Sequence, residues 1–430
     1  MITSLRFGKR CITSFLLVVA LSGCDRTTEP AFKKPATTVT VTALVWAPDW
    51  PQEMNRVADE FMRRNPGIQV DVQFMIGNSV EANLKPKVAS GKLPGIVSIN
   101  PNAYAAGLAQ RGLLVELGQT QAWANMLDML KGDWTAGGQR HFGIAGGVAT
   151  TLIYYNKTMF EKAGIRAMPT DFPGFLAACA QLKKAGFVPI AWNGGFPNML
   201  GNGPFSYGFA NAVVARHPDW KVRLLDGSLN LGTPEVEEVF SRLKRLPDLG
   251  YVQKDYLHTN YDEGIRLFTE GEAAMAFQGT WAAGLLMHGK GFETGILLPP
   301  WNMPGRPSIP VISSETGFGV INGPHKAEAL KFLEFIYGEG FAIQQNKRQN
   351  IPPLKKVTGI MVNNAEVVAF VNQISAAPVT GGLYYAVLPS NTIEMLHPLM
   401  HDVLFGTKSP RQAAKALDDS IKTEARSRND

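Results

Sequence analysis

The stretch from Thr38 to Val72, TVTVTALVWAPDWPQEMNRVADEFMRRNPGIQVDV, decides the fold class. Thr38 to Val45 is β-branched and compact, the composition of a strand. Trp46 to Pro51 forms a loop. Met54, Val57, Ala58 and Phe61 then recur at the spacing of one helical face. Asn65-Pro66-Gly67 stops that helix, and Ile68 to Val72 alternates as a second strand. A strand, a helix and a second strand in this order imply a parallel pair joined by a right-handed crossover.

The same grammar continues outward. Ile96 to Ile99 is a short buried strand, followed by a helix through Leu108. Thr151 to Tyr155 predicts a strand, Lys157 to Lys162 a short helix ending at Gly164, and Phe175 to Lys184 a helix stopped by Gly186. Val188 to Ala191 is strand-like. Thr233-Pro234-Glu235 has the form of a helix start before Val236, Val239, Phe240 and Leu243. Ala327, Leu330, Leu333 and Phe335 mark another helix. Ser409-Pro410-Arg411-Gln412 has capping-box form before Ala413, Ala416, Leu417 and Ile421. Strands alternating with helices give an α/β fold, and 430 residues exceed what one hydrophobic core usually serves.

The N-terminus predicts export. Arg6, Lys9 and Arg10 precede an apolar run, Ile12 to Leu21, too short to span a bilayer. It ends in Leu21-Ser22-Gly23-Cys24, which resembles a bacterial lipobox, with cleavage before Cys24 and lipid on its thiol. The competing reading is a plain secretory signal with an incidental cysteine. Residues 1–23 are therefore expected to be a signal peptide, and 24–37 a lipidated cysteine with a polar tether. With Cys11 and Cys24 so used, Cys179 is left alone, and its helical neighbours Phe175, Leu176 and Leu182 make it a buried hydrophobe rather than a nucleophile.

Composition excludes several classes. Apolar residues make up 45% and charged residues 18%, as in folded rather than disordered chains. The formal charge is +6, and removing the three charges of the first 23 residues leaves +3. That balance, without a basic stretch interleaved with aromatics, speaks against nucleic acid.

Seven segments, in order, resemble the sugar-binding branch of the extracellular solute-binding proteins of ABC importers. They are VADEFMRRNPGIQVDV (57–72), ASGKLPGIV (89–97), LIYYNKTMFEKAGI (152–165), FTEGEAAMAFQGTWAAG (268–284), GFGV (317–320), AEALKFLEFI (327–336) and FGTKSPRQAAKAL (405–417). Gly95 departs from the pattern, standing where the family usually has Asp. The stretch from Pro197 to Val214 matches little. The resemblance implies a two-lobe periplasmic-binding-protein fold with hinge crossovers and an interlobe cleft. Crossings are expected near Gly147–Thr151, Gly295–Leu298 and Asn322–Lys326. Lobe 1 would comprise 38–149 and 297–323, and lobe 2 150–296 and 324–430. It further implies a monomer that takes up a small polar ligand, a sugar above all, and hands it to ABC permease subunits. Such a protein would work in the periplasm or at the cell surface, tied to the membrane through its lipid.

A sugar offers apolar faces and a rim of hydroxyls, so its site needs flat aromatics and convergent polar groups. Candidates follow strand ends, where open α/β folds bind ligands. They are Trp46, Asp49 and Trp50 after the first strand, and Asn100 and Asn102 after Ile99. Trp192 and Asn193 follow Ala191, Trp281 follows Gly279, Glu315 precedes Phe318–Ile321, and Tyr384 lies in a Gly-flanked aromatic loop. The family's matching aromatic singles out Trp281 as a stacking plate. Each candidate also has a plain structural reading: a core tryptophan, a loop acid or helix cap, an Asx turn.

Two rivals remain open. One is a binding protein that reports to a receptor instead of a transporter. The other is a periplasmic hydrolase acting on carbohydrate, since two carboxylates need only converge in space. No G-x-S-x-G, HExxH, Walker A or Cys-His pattern is present, and His397 and His401 lack a third ligand in sequence. No catalytic residue, metal or cofactor is expected.

Overall fold

β1 (Val39–Val45) lies between two parallel neighbours and seeds the first of two sheets. The computed structural model describes residues 38–77, 79–348, 350–357 and 365–429; the expected signal peptide, Cys24 and tether lie outside them. β2 (Ile68–Phe74) pairs with β1 along its length, from Val39 opposite Ile68 to Val45 opposite Phe74. β3 (Ile96–Ile99) flanks the other side. The crossover helix Pro51–Arg64 buries Met54, Val57, Ala58 and Phe61, the periodic positions. Proline stands in its first turn, where no amide hydrogen is needed, and Arg63 and Arg64 sit in its last, at the negative end of the dipole.

A two-residue ladder, β4 (Thr135–Ala136) with β5 (Arg140–His141), precedes β6 (Val148–Ala149). The chain then enters the second sheet at β7 (Thr151–Asn156), joined by β8 (Val188–Ala191), β9 (Ala273–Gly279) and β10 (Thr294–Leu297) in the order β10-β7-β9-β8. All of β9 is buried, because helices cover both faces of this sheet. Ile153, Met275 and Phe277 pack in a core with Phe175, Cys179 and Phe240, while Leu152, Tyr154 and Ala276 join the cluster of Ile265, Phe268 and Leu286. β11 (Ser313–Ser314) pairs antiparallel with β6, and β12 (Gly317–Val320) returns to the first sheet, completing the order β12-β3-β1-β2. Two α/β lobes result, as the sequence led one to expect. In the closing helix, Ser409 and Gln412 exchange hydrogen bonds of 2.8 and 3.2 Å, a true capping box.

Two crossings differ from expectation. After β10 the chain stays on the second lobe: Trp301 is fully buried, edge-on to Phe172 and Phe277, and Val311 shares that core. The helix Lys326–Tyr337 stays on the first, where Phe332 and Phe335 pack 4.9 and 5.5 Å from Phe61. Residues 297–311 thus accompany the second sheet and 326–348 the first, contrary to the expected boundaries. Pro299-Pro300 and Asn322-Gly323-Pro324 break elements, but a breaker ends an element without choosing which core the next one joins. Those two crossings run instead through β11 and the segment at Ile351, whose carbonyl accepts from the Val148 N–H of β6 at 2.9 Å.

Gly95 has a packing reason. A Cβ there would lie 2.8 Å from Val41 Cγ1. Any side chain there would have to displace that methyl.

Candidate functional site

Of the expected residues, Trp46, Asp49 and Trp50 follow β1, and Trp281 lies in the turn after β9. Trp46 is half-buried, its backbone N–H donating to Ser98 Oγ at 2.9 Å. Trp50 heads the first helix and is 8% exposed, because the Arg348 guanidinium covers its ring at 4.5 Å. Asp49, between them, makes no hydrogen bond or ion pair among the described residues. Burial, reinforced by Asp262, pushes its carboxyl up to about 6 against the opposing pull of Arg348 and Lys347.

Tyr261 and Trp281 belong to the second lobe. Trp281 is half-buried and lies flat on Gly279, where a Cβ would meet the indole at 2.2 Å; glycine is what lets the ring lie there. Its N–H lies beside the Tyr261 phenol, whose pKa is raised by burial and by the Asp49 charge. The Tyr261 hydroxyl is buried without a partner at hydrogen-bond distance among the described residues. The Tyr261 phenol thus feels the Asp49 charge from the other lobe.

Glu315 lies in the crossover and is 6% exposed. Its Oε2 accepts from Arg348 and from Asn350 Nδ2, each at 2.6 Å, while Oε1 is buried without a partner among the described residues. Burial raises its pKa despite Arg348. Gly147 makes room for this network: a Cβ would lie 2.4 Å from Asn350 Nδ2 and 2.7 Å from Glu315 Cδ.

Other candidates are spent on structure. Asn100 and Asn102 both donate to Glu81 Oε1, at 3.1 and 2.6 Å. Asn102 also caps the helix Ala103–Gln110, and Asn100 accepts from Thr316. Asn193 donates to the carbonyls of Asn260 and Tyr261, and so holds the latter's backbone. Trp192 is 2% exposed and edge-on to Phe277 in the core. It borders a cavity of about 10 Å³, room for one water and not for a sugar. Tyr384 is 3% exposed, and its hydroxyl bonds His397 Nε2 at 2.9 Å. Neither presents an open ring face, contrary to expectation. Each is covered by the helical run from Pro197 to Val214, whose π-type turns at Gly201–Phe205 and Ala210–Val214 have no sequence signature.

Tyr261, Asp262, Glu81, Arg348 and Asn350 were not anticipated. Asn260-Tyr261-Asp262 carries a helix-cap signal, but nothing local marks Arg348 or Asn350 as neighbours of a strand end. His401 bonds the Gly194 carbonyl at 2.8 Å, so His397 and His401 serve separate contacts. Among the described residues no group of three metal-ligating side chains gathers, and no helix is long and apolar enough to cross a membrane.

Residues 56–367 match the family described as bacterial extracellular solute-binding protein. An uncharacterized ABC transporter extracellular-binding protein of Pyrococcus horikoshii is 23% identical over 384 residues, 82% of this chain and 85% of that one. The multiple sugar-binding protein of Streptococcus mutans is 22% identical over 326 residues, 75% of this chain and 76% of its own. In structure, a chitin oligosaccharide binding protein superposes with a TM-score of 0.79 at 20% identity, covering 90% of this chain and 99% of its own. The solute-binding protein RafE in complex with raffinose gives 0.76 at 20% identity, over 90% and 100%.

Proposed function

Because the chain belongs to the bacterial extracellular solute-binding protein family, we propose that it captures a carbohydrate between its lobes and delivers it to an ABC importer. Asp49, left without a hydrogen-bond partner among the described residues, and Trp281, half-buried on Gly279, carry this reading. A carboxylate without a protein partner can accept two hydroxyls, and an indole supported by glycine offers a flat face to a pyranose ring. Relatives whose names include sugar, chitin oligosaccharide and raffinose binding point the same way.

A ligand that touches both lobes favours their approach by its differential affinity, and the importer can then tell loaded from empty protein. Lys85 and Glu394, one on each lobe, already meet at 2.6 Å across the gap. The reading includes capture without turnover, work outside the cytoplasm, action as a monomer and, from the Leu21-Ser22-Gly23-Cys24 stretch, a lipid anchor at Cys24.

A thermal-shift panel of mono- and oligosaccharides on the purified full chain tests the reading. A carbohydrate should raise the melting temperature in proportion to its occupancy and be recovered intact. Hydrolysis of the hit, or a panel without any shift, defeats it.

A further inference from the structure

Ser314, wholly buried in the crossover strand β11, is held by both lobes at once. From the first lobe, Asp133 Oδ2 accepts from the Ser314 backbone N–H at 3.2 Å and from its hydroxyl at 3.0 Å. Asp133 sits in the turn Gly132–Trp134, and Trp134 is fully buried in the first core beside Phe142. From the second lobe, the Tyr385 hydroxyl donates to the Ser314 carbonyl at 3.0 Å. Tyr385 lies in the short helix Tyr384–Val387, which the second lobe anchors: the Tyr384 N–H donates to Ser206 Oγ at 2.9 Å.

The two grips are crossed. Along the chain, Ser313 goes with the second lobe, its Oγ accepting from the Leu383 N–H at 2.8 Å. Glu315 goes with the first, through Arg348, and Thr316 donates to Asn100 Oδ1 there at 2.6 Å. Yet the amide entering Ser314 is bonded to the first lobe, and the carbonyl leaving it to the second. A hinge residue absorbs a swing of the lobes in its own φ and ψ. At Ser314 such a rotation carries each peptide plane with its own lobe, away from the group that grips it on the other. Hydrogen bonds weaken steeply with distance and angle, so the swing breaks them.

We infer that Asp133, Ser314 and Tyr385 form a clasp that holds the two lobes at their present angle, and that the lobes change angle by releasing it. The clasp acts in the empty chain and is independent of which ligand is captured.

The Lys85–Glu394 pair, which joins the lobes at 2.6 Å, reports that angle. Carbodiimide couples such a pair into an amide without a spacer, and peptide mass spectrometry of the full chain reads the yield. Tyr385→Phe removes one hydroxyl and Asp133→Ala one carboxylate, each opening one side of the clasp. A lost hydrogen bond shifts a two-state equilibrium roughly two- to tenfold, so the interlobe yield should fall at least about twofold in either variant. The Lys415–Asp419 pair, at 2.7 Å within the closing helix, should couple equally in all three proteins. If Asp133→Ala does not fold, Tyr385→Phe alone decides. A Tyr385→Phe chain that couples as its parent does overturns the inference. So does a fall in yield matched by the Lys415–Asp419 pair, which reports general loosening. A parent that gives no interlobe amide overturns it too, because its lobes then rest at another angle.

Discussion

Arg348 lies 4.5 Å over the ring of Trp50 while its other edge holds Glu315 at 2.6 Å, so one guanidinium joins the helix after β1 to the crossover before β12. Both ends are buried, with the Arg348 and Glu315 side chains 8% and 7% exposed. Removing one partner of such a pair leaves an uncompensated charge. Arg348→Ala should therefore lose about 3–5 kcal/mol of stability, measured by urea unfolding. A loss within about 0.5 kcal/mol, the range of an ordinary surface change, would mean that water reaches Glu315.

Gly147 tests the same junction from the backbone. Its missing side chain leaves the space that Asn350 and Glu315 occupy. Gly147→Ala should cost about 1–3 kcal/mol through overpacking and weaken ligand binding, because the crossover strands set how the lobes meet. Unaltered stability and affinity together would show that the network relaxes freely.

The readable part of this protein was the part with local periodicity. The helix after β1 followed from four apolar residues on one face, and the chain end from a capping box. The crossings were not readable from breakers, because Trp301 and Phe332 choose their cores by three-dimensional neighbours. Among the candidate ring plates, Trp192 and Trp281 both follow strands, and sequence treats them alike. Gly279 lies under one, whereas Phe277 and the Pro197–Val214 run bury the other. Arg348 reaches Trp50 only through the fold's topology, so no window of sequence could join them.

Trp281 is half-buried on its glycine and is proposed to stack on the sugar. Trp281→Ala should weaken binding by about 0.5–1.5 kcal/mol for the lost stacking, and by more if its area is covered by ligand. The far-ultraviolet circular dichroism should be unchanged. Full affinity in the variant would take Trp281 out of the site. Trp192→Ala should behave oppositely, destabilising by about 3–5 kcal/mol as a core truncation.

Asp49 predicts an unusual pH dependence of stability. Its folded pKa, about 6, lies above the ordinary 3.8, so the folded state holds a proton that the unfolded chain has released. Stability from this group is full below about pH 4 and is lost as pH rises through about 6, the reverse of an ion-paired carboxylate. The loss is at most about 3 kcal/mol at roughly 1.4 kcal/mol per pH unit. Asp49→Asn removes the ionisation, so it should flatten the profile between about pH 4 and 6 and make the empty protein more stable at neutral pH. Chemical denaturation of both proteins across that window measures the difference. A variant less stable than its parent at neutral pH would show that Asp49 holds a stabilising partner in the empty protein, and that its charge is not waiting for a ligand.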